Sequence, residues 1–106
     1  MRGCKADGCR IIATGEMGIG NTTTSAAMAA AILRCDVATV TGRGAGLNDS
    51  GLEKKISVIE SAIEKYDLYN KDTFEILMTV GGLDIAGLVG VCIGGALYIF
   101  LLCSTE

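Results

Sequence analysis

The stretch Gly15-Glu16-Met17-Gly18-Ile19-Gly20-Asn21-Thr22-Thr23-Thr24 lies between a short apolar run, Ile11-Ile12-Ala13, and an alanine-rich segment from Ala26 to Leu33. An apolar run, a glycine loop and a helix-forming stretch, in that order, describe a strand, a tight turn and a helix N-terminus. That junction commits the chain to an α/β fold, and it is where such folds hold phosphate. Glycines let the backbone approach an anion, and the first N–H groups of the helix have no intrahelical partner and carry partial positive charge.

Two general phosphate motifs share this context, and neither fits. The P-loop needs Gly, four residues, then Gly-Lys-Ser/Thr. Gly15 and Gly20 have the spacing and Thr22 fits the magnesium-binding hydroxyl, but Asn21 stands where the lysine should be. Losing that charge argues against an ordinary nucleoside triphosphatase. The dinucleotide fingerprint needs a small, glycine-like residue where Thr23 stands. What remains is a phosphate loop containing a carboxylate. Glu16 is either a solvated turn residue or faces a part of the ligand other than phosphate, such as a sugar hydroxyl or a cationic ring.

At 106 residues and 50% hydrophobic, the chain suffices for one small domain with a core, and no second domain is expected. A net charge of -3 with no basic run, together with few aromatic residues, argues against nucleic-acid binding. The five cysteines (Cys4, Cys9, Cys35, Cys92, Cys103) are scattered and no histidine is present. That disfavours a zinc site, a Cys-His nucleophile and a histidine-based serine triad. Reduced thiols in the cytoplasm are the simplest account, with burial expected for Cys92 and Cys103.

Along the chain, residues 1 to 10 read as a loose leader. Asn21 or Thr22 can cap the alanine-rich helix, whose small side chains suit close packing on a sheet. Asp36 to Val40 reads as a short strand, with Val37 and Val40 apolar. Gly42-Arg43-Gly44-Ala45-Gly46 forms a second glycine loop, in which Arg43 is either a solvated turn charge or a ligand for phosphate or carboxylate. From Asp49 to Tyr66, Leu52, Ile56, Ile59, Ile63 and Tyr66 recur at helical spacing and predict an amphipathic helix with an inward apolar face. Lys55 lies beside that face, from which its ammonium can reach back to the glycine loops; Lys54 falls on the wet side. Asp72-Thr73-Phe74-Glu75 predicts a capping box and a helix through Val80, with Phe74, Leu77 and Met78 in the core, ended by Gly81-Gly82. Ile85 to Cys103 is uncharged and long enough for a membrane span by hydropathy. Its glycines and its lack of a basic flank favour a helix (Ile85 to Ala96) followed by a buried strand (Leu97 to Leu102).

The first loop, with Gly42-Arg43-Gly44-Ala45-Gly46-Leu47, Gly51-Leu52-Glu53-Lys54-Lys55 and Gly81-Gly82-Leu83-Asp84-Ile85-Ala86, resembles the nicotinate-nucleotide:dimethylbenzimidazole phosphoribosyltransferase family, from about Ile11 to Ala96. Relatives commonly carry Thr, Asp and Glu where this chain has Ala45, Asn48 and Asp84. The resemblance implies a three-layer, Rossmann-like α/β domain, a parallel sheet flanked by helices, present here as an incomplete domain over residues 1–106. It implies transfer of the phosphoribosyl group of nicotinate mononucleotide to 5,6-dimethylbenzimidazole, with no metal or redox cofactor, in a cytoplasmic homodimer. Substrate-binding roles fall on Glu16, Gly18, Gly20, Asn21, Arg43, Gly44 and Lys55. Glu16 would orient ribose or base, the glycines would offer backbone donors, and Arg43 and Lys55 would supply charge. The family's general base is a glutamate beyond the matched stretch, for which Glu16, Asp84 and Glu106 are poor substitutes. The chain therefore reads as a truncated middle portion, expected to bind substrate weakly and not to turn it over. The rival readings are a noncatalytic nucleotide- or phosphate-binding module and a small membrane peptide.

Overall fold

The computed structural model describes residues 1–99 and 101–104, and they form two compact units: Gly18–Leu83, and Met1–Met17 with the segment from Asp84 onward. The chain is mostly helical with a small parallel sheet, an α/β arrangement.

The Gly18–Leu83 unit is built around helix α2 (Thr22–Leu33), which contacts α3 (Val37–Val40), α4 (Asp49–Tyr66) and α5 (Thr73–Val80). Ala26, Ala27, Met28, Ala30 and Ala31 are all buried. At about 100° per residue these positions cover more than half of the helix circumference. An alanine-rich helix surrounded by neighbours is the result, and its partners within this unit are helices. From the facing elements come Val37, Ile59, Ile63, Leu68 and Ile76, all buried. Burying each large aliphatic side chain contributes about 1.5–3 kcal/mol.

Helix α4 has the limits that its apolar spacing predicts. Asn48 caps it, its Oδ1 accepting from the Gly51 N–H at 2.8 Å and from the Ser50 hydroxyl at 3.0 Å. At its far end Asp67 takes a left-handed conformation (φ 50°). Tyr66 is exposed, however, because the inward stripe ends at Ile63. The capping box on α5 is present: Asp72 Oδ1 accepts from the Glu75 N–H at 2.8 Å, and Glu75 Oε2 accepts from the Asp72 N–H at 3.1 Å. Its core face differs from expectation. Ile76 is buried and Leu77 is half-buried, whereas Phe74 is 63% and Met78 77% exposed. Eight residues make barely two turns, too few for the spacing of apolar residues to define a face.

Asp36 to Val40 is not a strand. Val37–Val40 form a helical turn, with Val37 buried and the Thr41 hydroxyl donating to the Val37 carbonyl at 2.6 Å. A short β-branched run does not distinguish strand from helix by itself; here helix neighbours and a local hydroxyl decide for the turn.

In the other unit, β1 (Ile11–Thr14) pairs in parallel with β2 (Leu101–Ser104), Ile11 opposite Leu101 and Thr14 opposite Ser104. Residues 2–6 are helical (α1, Arg2–Ala6) instead of loose. Met1 lies so close to Gly94 that a Cβ there would come 2.5 Å from Met1 Cγ, a tertiary contact that periodicity does not reveal. Helix α6 runs from Leu83 to Tyr98, beyond the expected Ala96, and ends where Ile99 adopts a positive φ of 56°. The following strand is therefore shorter and later than expected, and it is not buried, Leu101 being 68% exposed. Cys92 and Cys103 are likewise exposed. Among the described residues no helix is long and apolar enough to cross a membrane.

Candidate functional site

Within the Gly18–Leu83 unit, a cavity of about 260 Å3 opens at the N-terminus of α2, lined by Gly18, Gly20, Thr22, Thr23, the 43–47 loop and Lys55. It is small for a whole nucleotide, since ligand pockets run to roughly 300–1,000 Å3, and suits a phosphate with the sugar that carries it.

The second turn of α4 places Lys55 with only 7% of its surface exposed. Its Nζ donates to Thr22 Oγ1 and to the Gly42 carbonyl, each at 2.9 Å. Both acceptors are uncharged, and among the described residues no carboxylate pairs with this ammonium. A buried cation held only by neutral oxygens is costly unless an anion joins it. Lys54, one residue earlier, is exposed.

Arg43 behaves differently. Its side chain is half exposed (51%), its Nη1 donates to the Leu47 carbonyl at 3.0 Å, and its Nη2 pairs with Asp49. The guanidinium thus folds its own loop and is already matched by a carboxylate. Next to it Gly44 has a φ of 59°, and a Cβ at that position would stand 2.8 Å from Thr22 Oγ1. Only glycine satisfies both the backbone conformation and the close approach.

The expected residues Gly18, Gly20, Arg43, Gly44 and Lys55 line this one cavity; Asn21 and Glu16 do not. Asn21 precedes α2 as its N-cap without a side-chain capping bond, and Thr24 Oγ1 donates to the Asn21 carbonyl at 2.8 Å. Glu16 belongs to the other unit, where it lines an apolar cavity of about 300 Å3 with Thr14, Gly15, Leu88, Val91, Cys92 and Leu102. Asp84 lies in the first turn of α6, and Glu106 falls outside the described residues. Sequence reasoning missed Thr22 as the partner of Lys55 and Asp49 as the partner of Arg43. Separations of 33 and 6 residues carry no local signal for either pair.

A family model described as phosphoribosyltransferase matches residues 1–101, the glycine loops and Lys55 included. The chain belongs to this phosphoribosyltransferase family. It is similar to the nicotinate-nucleotide--dimethylbenzimidazole phosphoribosyltransferase of Roseiflexus castenholzii, 52% identical over 86% of this chain and 26% of the relative. The enzymes of that name from Geobacter metallireducens (50% identity, 89% of this chain, 27% of the relative) and Clostridium perfringens (43%, 89% and 26%) are similar too. The chain thus spans about a quarter of the length of the curated phosphoribosyltransferases it matches. No solved structure gives a significant match.

Proposed function

We propose that this chain supplies the phosphate-holding part of an enzyme that transfers the phosphoribosyl group of nicotinate mononucleotide to 5,6-dimethylbenzimidazole, giving α-ribazole 5′-phosphate and nicotinate. The reaction belongs to lower-ligand assembly in cobalamin synthesis. The observation that carries the reading is Lys55, a buried ammonium with uncharged partners in a cavity at a helix N-terminus. The names of the relatives supply the substrates.

In this reading the 5′-phosphate sits against Lys55, the first N–H groups of α2 and the backbone of the 43–47 loop, each offering positive charge to the anion. Fixing the phosphate holds the anomeric carbon in place for attack, which lowers the barrier through proximity. A benzimidazole nitrogen forms the new bond to that carbon on the face opposite nicotinate, so the configuration inverts. The old carbon–nitrogen bond breaks with its electron pair going to the pyridinium nitrogen, which becomes neutral. The proton on the second benzimidazole nitrogen passes to a general base. Glu16 orients ribose or base. In the same reading β1 and β2 belong to a parallel sheet and α6 to the helices that flank it, in a three-layer α/β domain of a cytoplasmic homodimer.

Calorimetric titration of nicotinate mononucleotide into the wild-type chain, Lys55→Ala and Lys54→Ala tests the reading. A charge-assisted contact is worth about 1.5–3 kcal/mol and a solvated surface lysine little. Lys55→Ala therefore weakens binding about ten- to hundredfold and Lys54→Ala leaves it unchanged. Equal losses, or no binding by the wild type, overturn the assignment. Inorganic phosphate bound as tightly as nicotinate mononucleotide leaves the same site acting as a phosphate-binding module.

A further inference from the structure

The Thr22 hydroxyl lies against both the cation and the second glycine loop. Its Oγ1 accepts from Lys55 Nζ at 2.9 Å, and the same oxygen lies where a Cβ on Gly44 would come within 2.8 Å of it. Nζ has a second fixed partner in the Gly42 carbonyl, also at 2.9 Å. An ammonium has three N–H donors in a tetrahedral array, so fixing two fixes the direction of the third.

We infer that Thr22 is a positioning residue that aims the third Lys55 donor at an anion in the cavity and clamps the 42–47 loop against α2. This deepens the proposed function and rests on it for the identity of the anion. The hydroxyl that a P-loop reading assigns to magnesium here accepts from an ammonium, which brings direct positive charge to an anion in the cavity. Thr22 itself makes no contact with the reacting carbon in this account; it acts through Lys55 and Gly44.

The test uses the full chain as wild type, Thr22→Val, Thr22→Ser, Lys55→Ala and the Thr22→Val/Lys55→Ala double variant. Without ligand, amide hydrogen exchange over residues 42–47 is expected to speed up about tenfold in Thr22→Val and to stay near wild type in Thr22→Ser, which keeps the hydroxyl. With nicotinate mononucleotide as probe, Thr22→Val weakens binding about tenfold, as the loss of a hydrogen bond to a charged group predicts, and Thr22→Ser restores it. In the Lys55→Ala background, Thr22→Val adds nothing to either measurement. Serine as damaging as valine, or an undiminished valine effect without Lys55, overturns the inference. If the wild type binds no nicotinate mononucleotide, the proposed function fails, and the ligand-free exchange still decides whether Thr22 clamps the loop. Should Thr22→Val fail to fold by circular dichroism, Thr22→Ala takes its place in the same cycle.

Discussion

Residues 18–83 bury Ala26, Ala30, Val37, Ile59, Ile63, Leu68 and Ile76 in a core of their own, whereas in the other unit the only described residues that reach burial are Gly94 and Gly95. Apolar content does not explain this contrast. Ile11, Leu97, Ile99 and Leu101 are as hydrophobic as anything in the first unit, yet all are exposed. Helices of the first unit surround α2 and bury one another's faces, while a two-stranded sheet is marginal without further strands or covering. The difference shows why the Lys55 cavity can be formed by one unit alone. Every residue lining it lies on α2, on α4, in the glycine loop that leads into α2 or in the 43–47 loop, and α2 and α4 share the core.

Three substitutions sharpen or break this comparison. Ile59→Ala removes a side chain that is almost wholly buried between helices, and a large-to-small change of this kind typically costs 2–5 kcal/mol. Urea unfolding followed by circular dichroism should show that loss; a shift under about 1 kcal/mol would mean that the helical unit has no cooperative core. Asp72→Ala deletes half of the α5 capping box, for an expected loss of about 0.5–2 kcal/mol. Amide exchange should localise the loosening to Thr73–Val80, and a uniform increase across both units would contradict separate stabilities. Leu101→Ser, on an exposed strand, is expected to change unfolding stability by no more than about 0.5 kcal/mol. A loss as large as that of Ile59→Ala would show that β2 is buried in solution and that the contrast between the units is false.

Sequence by itself determined the elements whose signals are local. The amphipathic period from Asp49 to Tyr66 set α4, the Asp72 and Glu75 pair set the start of α5, and Ile11-Ile12-Ala13 before a glycine loop set β1 and the N-terminus of α2. Such features are written within one or two turns of chain, where propensity and capping act. The four motifs also carried the family, and with it the choice of Lys55 over Lys54. Tertiary structure alone decided whether Val37–Val40 is helix or strand, which side of α5 faces inward and where α6 stops, because each depends on neighbours distant in sequence. It also decided what the charges in the site touch. Arg43 is matched by Asp49 while Lys55 is left with Thr22 and Gly42, a distinction that comes from the packing of α4 on α2 and from nothing either residue says about itself.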